Sequence, residues 1–315
     1  MSAPIPVTIV GGYLGAGKTT LVNHLLRQRG ERRIAVLVND FGELAIDADL
    51  IESRDGTLLQ LAGGCVCCSF GSDLMAALQR IRELQPAPDH ILLECSGVAL
   101  PGAVARTLTL LKGLALDAVL VLADSETLRE RAADRYVGEL LKQQLREADL
   151  IALNKLDLAA PGDAQALPRW LAEAAPRARV LPCRHAQLPP ALALGLGLGK
   201  THVERERTAA TPLALAGAGH GGALFTSLSL EFEHAVDTAR LAAALAAPGL
   251  GLLRAKGLMR GTDGLPCSLQ LVGARCVVAP SAHARPRQGR LVGIGLQGCF
   301  DAADLRAALR ASSVA

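Results

Sequence analysis

Three clusters of residues define the chemistry open to this chain of 315 residues. The first is Gly12-Tyr13-Leu14-Gly15-Ala16-Gly17-Lys18-Thr19-Thr20, placed between an apolar run at 7–10 and a helix-patterned stretch. In that context G-x-x-x-x-G-K-[ST] is a phosphate cradle. The glycines let successive backbone N–H groups turn inward on an anion, and the helix start adds the positive end of its dipole. Gly12, Gly15, Ala16, Gly17, Lys18, Thr19 and Thr20 are therefore expected to hold a nucleoside triphosphate. Lys18 would bridge the β- and γ-phosphates, and the Thr19 hydroxyl would take a position on Mg²⁺. The alternative is a glycine-rich strand-to-helix turn with an incidental lysine, which the full pattern in its context disfavours.

A phosphate loop names neither the base nor the reaction. Asn154-Lys155-Leu156-Asp157 follows an apolar run at 150–153, where the C-terminal edge of a parallel sheet would set it beside a nucleotide. Asp157 there can accept from both N1–H and the 2-amino group of guanine, donors that adenine lacks, so GTP is the expected ligand. Asn154 would support the loop and Lys155 would cover the base. Glu94-Cys95-Ser96-Gly97 ends another apolar run, at 90–93. Glu94 could approach Mg²⁺ and the Gly97 N–H could sense the γ-phosphate, making Lys18, Thr19, Glu94 and Gly97 the expected catalytic set.

The third cluster is Gly63-Gly64-Cys65-Val66-Cys67-Cys68. Three thiols within four residues suggest a soft-metal site, with thiolates favouring Zn²⁺ or Cu(I) and the glycine pair permitting the turn that converges them. Two thiolates with an oxygen or nitrogen ligand would serve equally. Buried small hydrophobes and a redox pair are the competing readings. Asn39-Asp40-Phe41-Gly42-Glu43 follows the apolar run 34–38 and offers Asp40 and Glu43 as oxygen ligands. His24 and His90 read as packing or surface residues.

Positioning these residues requires alternating strands and helices. Apolar runs at 7–10, 34–38, 90–94, 118–122, 150–153 and 179–181 read as strands, the last closed by Pro182. Helical patterns lie at 19–28, 73–85, 100–112, 128–147 and 163–174. This is the signature of an α/β fold, a mostly parallel sheet covered by helices. Periodicity fails from about 184 to 222, where Pro, Gly and Ala dominate. A second unit follows with strands at 225–232, 252–258, 268–272, 275–278 and 291–296 and helices at 235–246 and 301–309, which suggests a smaller α+β domain with helices on one face of an antiparallel sheet. The expected division is 1–185, a linker at 186–222, and 223–315.

Composition excludes several classes. At about 150 residues per domain the length suggests one large or two ordinary domains. With 50% hydrophobic and 20% charged residues the chain is far from the disordered regime. Thirty-three Lys+Arg against 30 Asp+Glu, and 3% aromatics, leave neither the basic footprint nor the stacking platforms for nucleic acid. Mean hydropathy is +0.29, yet the charge-poor stretches 188–199 and 241–253 are short and broken by Pro and Gly, so no membrane span is expected. Residues 1–6 lack a basic segment of a secretory signal, and eight cysteines are a poor disulfide scaffold at this size. A cytoplasmic protein is the expectation.

The order of the motifs resembles the CobW-like family of P-loop GTPases, metal-handling proteins. The matching elements are GYLGAGKTT at 12–20, NDFGE at 39–43, IDADLI at 46–51, GGCVCC at 63–68, ECSG at 94–97 and NKLD at 154–157, with RAKG at 254–257 in the second domain. The resemblance spans nearly the whole chain and implies a P-loop NTPase domain followed by an α+β module. It implies GTP hydrolysis coupled to binding a transition metal, zinc or alternatively cobalt; the turnover is expected to be slow because the quoted motifs hold neither an arginine finger nor a Gln at 94–97 to position water. Cys65, Cys67 and Cys68 form the ligand pool, assisted by Asp40, which stands where the family usually has glutamate. It also implies delivery to a client metalloprotein or cofactor-assembly enzyme, and it allows a nucleotide- or metal-dependent homodimer. The histidine-rich stretch of many relatives is missing. A zinc-binding or redox module with structural nucleotide, and a small-molecule kinase built on the same phosphate loop, are the rival classes.

Overall fold

The computed structural model describes residues 4–38, 57–60, 70–160, 162–195, 211–213, 225–281 and 288–314. The expected positions Asp40, Glu43, Cys65, Cys67 and Cys68 lie outside the described residues.

Backbone contacts divide the chain into two compact units, 1–194 and 195–315. In the first unit seven parallel strands form one sheet: β1 (Ile5–Gly11), β2 (Ile34–Val38), β3 (Thr57–Gln60), β4 (His90–Glu94), β5 (Leu114–Asp124), β6 (Leu150–Asn154) and β7 (Arg179–Pro182). Their spatial order is β3-β2-β4-β1-β5-β6-β7. β2, β4 and β6 are buried at every residue, as befits parallel strands covered on both faces. Their unbroken apolar runs made them readable in the sequence. Short β3, at the sheet edge, carries too few residues to show a period.

Two helices of the first unit differ from expectation. The pattern at 128–147 splits into Leu128–Ala133 and Gly138–Arg146. Asp134 stops the first, its backbone extended and its Oδ1 accepting from Tyr136 N at 2.7 Å and Val137 N at 3.0 Å. Such local side-chain to backbone bonding competes with helix. The pattern at 100–112 yields Pro101–Leu108, with proline at the first position, where its missing N–H costs nothing.

The second unit is a six-stranded antiparallel sheet, β8 (Thr211–Leu213), β9 (Phe225–Phe232), β11 (Leu252–Arg260), β12 (Pro266–Val272), β13 (Arg275–Pro280) and β14 (Gly289–Leu296), in the order β13-β12-β11-β14-β9-β8. Leu228, Leu230 and Phe232 alternate along β9 and share a core with Leu241 and Leu245 of helix Thr238–Ala246 and Leu305 and Leu309 of helix Ala302–Ala311. Asp237 caps the first of these helices, accepting from Ala239 N and Arg240 N. The extended pair Ala235–Val236, read as helix from sequence, is β10 and pairs with β15 (Ser313–Val314).

Candidate functional site

The site forms at the C-terminal ends of β1, β4, β5 and β6, beside the point where the chain crosses from one half of the sheet to the other. Open α/β sheets place ligands there because only at that edge do adjacent loops diverge and leave a crevice. β1 delivers the glycine loop and helix Lys18–Arg27 leaves it. Gly17 sits at the helix start with φ 101°, and a side chain there would drive into Asn154 Nδ2. The loop therefore needs glycine for both its backbone angle and its closeness to β6.

Lys18 is 8% exposed, its Nζ donating to Tyr13 O at 3.3 Å, so its ammonium lies folded over the loop that would cradle the phosphates. Thr19 Oγ1 donates to Glu94 Oε1 at 2.8 Å, joining the phosphate-loop helix to the end of β4. Glu94 is 2% exposed. A hydroxyl and a carboxylate converging beside a phosphate cradle form the hard oxygen set that Mg²⁺ prefers. Gly97 lies against the loop: a side chain there would meet Leu14 Cδ2, Cγ and N at 2.5–2.8 Å. The structure thus brings Lys18, Thr19, Glu94 and Gly97 to one place.

Asn154 joins three segments. Its Nδ2 donates to Ala16 O at 2.9 Å, and its Oδ1 accepts from Ala186 N at 2.9 Å. Lys155, in the left-handed region at φ 59°, pairs through Nζ with Asp124 Oδ2 at 2.7 Å. Asp157 is exposed at the same edge.

Sequence reasoning missed several residues that hold these. Asp124 ends β5, a strand-end acid beside β1 that the position rule could have marked. Ser125 Oγ donates to Asn154 O. Arg131 lies over the Tyr13 ring, 4.9 Å from its centroid, and its Nη1 donates to Leu14 O at 3.4 Å. Gln144 holds the turn after Glu94. Ala186 stands in a stretch read as the start of a linker. Instead, residues 183–194 belong to the first unit and cross it as a strap. His185 and Ala186 take left-handed angles in a tight turn, Leu188 O bonds His24 Nε2 at 3.1 Å, and Ala193 O accepts from Thr8 Oγ1 at 2.6 Å. A turn built on left-handed residues and backbone bonding has no side-chain period to read.

His24 and His90 are buried, as packing residues should be. Burial, countered in part by the Leu188 bond, holds His24 below its ordinary value. Burial pushes Cys95 and Cys183 up to about 12, so neither thiol is a ready ligand or nucleophile. Among the described residues no three His, Cys, Asp or Glu side chains group to hold a metal ion, and no helix is long and apolar enough to cross a membrane.

Two family models match the chain in succession. The family model for the CobW/HypB/UreG nucleotide-binding domain matches residues 6–182, and that for the cobalamin synthesis protein cobW C-terminal domain matches 225–313. The zinc chaperone CobW of Pseudomonas aeruginosa is 36% identical over 204 residues, 55% of this chain and 54% of that protein. The zinc chaperone YjiA of Escherichia coli is 35% identical over 193 residues, 59% of each. The chain thus spans about half the length of the curated relatives it matches. The crystal structure of Zn(II)-bound YjiA GTPase from E. coli aligns over 99% of this chain and 100% of that one, at 22% identity and a TM-score of 0.44. With one family model covering more than half of the residues and a second covering most of the remainder, the chain belongs to the CobW/HypB/UreG family of nucleotide-binding proteins and carries the CobW-type C-terminal domain.

Proposed function

We propose that the protein is a slow GTPase that couples its nucleotide cycle to binding and releasing a transition metal, zinc ahead of cobalt, for a client metalloprotein. The observation that carries this reading is the convergence of Lys18, Thr19, Glu94, Gly97 and Asn154 on one sheet edge. The zinc-chaperone relatives support the metal half of it.

In this reading the loop N–H groups from Gly12 to Thr20 and the Lys18 ammonium bind the β- and γ-phosphates. Asp157 pairs with guanine, while Asn154 ties the base loop to the phosphate loop. Mg²⁺, held through Thr19 and Glu94, would supply charge neutralisation on the phosphates. Glu94 fixes the Thr19 hydroxyl, and Gly97 is close enough to the loop for its N–H to register the γ-phosphate. Turnover is slow because no glutamine stands within Glu94–Gly97 to orient water, and Arg131 is engaged with Tyr13 and Leu14. Cys65, Cys67, Cys68 and Asp40 serve as the cargo site, the cysteines lying in sequence between Asn39–Glu43 and Glu94–Gly97, the two segments expected to respond to the phosphate. The expected domain division keeps the second unit for client docking.

The test is zinc titration of the full chain with GDP or a non-hydrolysable GTP analogue bound. Linkage of about 1–3 kcal/mol predicts about 5- to 150-fold tighter metal binding in one nucleotide state. Equal affinities would remove the coupling from the proposal.

A further inference from the structure

Helix Gly138–Arg146 presents to the turn after β4 a glutamine that no motif marks. Gln144 is 0% exposed, and its Nε2 donates to Gly97 O at 3.0 Å and to Ala99 O at 2.8 Å. Both partners are carbonyl oxygens, so the amide nitrogen must face the turn. Among the described residues nothing donates to its Oε1. Its neighbours on the same helix face, Leu141 and Leu145, are buried core residues. An apolar side chain would fill this position without burying an amide, so what Gln144 adds is its grip on two carbonyls.

The rest of the turn is held by the end of the same helix, by its own backbone and by β1. Glu147 Oε2 accepts from Gly102 N at 2.8 Å. Ala99 N donates to Ser96 O at 3.0 Å, and Cys95 N to Val10 O at 2.9 Å. Gly97 itself abuts Leu14 of the phosphate loop. The segment that would register the γ-phosphate is therefore braced from helix Gly138–Arg146 and its end, by the Gln144 amide on Gly97 and Ala99 and by the Glu147 carboxylate on Gly102.

We propose that Gln144 is a positioning residue for GTP hydrolysis, fixing the peptide planes around Gly97 so that the Gly97 N–H stays aimed at the γ-phosphate. The inference rests on the GTPase reading. Gln144 acts through the turn, not on the substrate. Since GDP has no γ-phosphate to meet that N–H, losing the brace weakens the triphosphate complex and the chemical step but leaves GDP binding alone.

Gln144→Met keeps the volume and removes both donors. In the full chain, kcat and the affinity for a non-hydrolysable GTP analogue should each fall by about tenfold, with GDP affinity changed by less than about twofold. Unchanged kcat and analogue affinity would overturn the inference, as would equal losses for analogue and GDP, which would mark Gln144 as packing only. Should Gln144→Met not fold, Gln144→Asn keeps a neutral amide but draws it back one methylene from the two carbonyls, and is expected to show the same split. In the wild-type chain, backbone amide exchange at 97–102 should be slower with analogue than with GDP, and no difference would overturn the inference. A wild-type chain that does not release phosphate from GTP overturns the activity reading instead. The ratio of analogue to GDP affinity still tests Gln144 in that case.

Discussion

At the scale of single residues, the proposed base specificity turns on Asp157 and thiol reactivity on burial. Asp157 stands three residues after β6 and is exposed, as a residue that reads a base must be. Removing its carboxylate in Asp157→Ala leaves two guanine donors without their charged acceptor. GTP affinity should fall by about 100-fold with ATP affinity little changed, measured by competition binding. The thiols follow from burial. Cys95 and Cys183, each pushed up to about 12, should resist alkylation at pH 8 in the folded chain, whereas exposed Cys299 reacts. Peptide mapping checks this, and rapid native-state labelling of Cys95 would contradict the packing described for β4. Sequence alone could not separate these cysteines, since burial is a property of neighbours in space.

At the scale of elements, the strap 183–194 is the part the sequence concealed. It bonds Asn154 at one end, His24 midway and Thr8 near its end, so it holds the base loop to the phosphate-loop helix. Its contact through His24 depends on pH. Burial keeps the folded imidazole below 6.5, so the unfolded chain takes up the proton first as pH falls. Stability from this site is fully present above 6.5 and is lost as pH drops from there towards the folded value. Thermal melts between pH 7.5 and 5.5 should show a steeper decline for the wild type than for His24→Gln, which retains a donor for Leu188 O but does not titrate. Parallel declines would show that His24 contributes nothing to acid sensitivity. The strands were readable because parallel strands buried on both faces need unbroken apolar runs. Helix ends were less so, because Asp134 breaks the pattern at 128–147 by bonding its own backbone.

At the scale of the whole molecule, a nucleotide unit and an α+β unit each have their own core. The proposed cargo site at Cys65, Cys67 and Cys68 would let metal and nucleotide influence each other. Replacing Cys67 and Cys68 by serine should abolish stoichiometric zinc binding, read by elemental analysis, while GDP affinity stays within about twofold of wild type. Disulfide formation on mild oxidation, with zinc stoichiometry unaffected by the replacements, would favour a redox role. What the sequence determined by itself was the fold class and the order of the motifs. Buried parallel strands write themselves as apolar runs, and a phosphate cradle requires glycines and a lysine at fixed spacing. Tertiary structure alone decided the bracing: Asp124 against Lys155, Gln144 beneath Gly97, and Ala186 on Asn154. Those partners lie from about 30 to nearly 50 positions apart in the chain. No local pattern can encode such a pairing, because it exists only once the sheet has set its strand order.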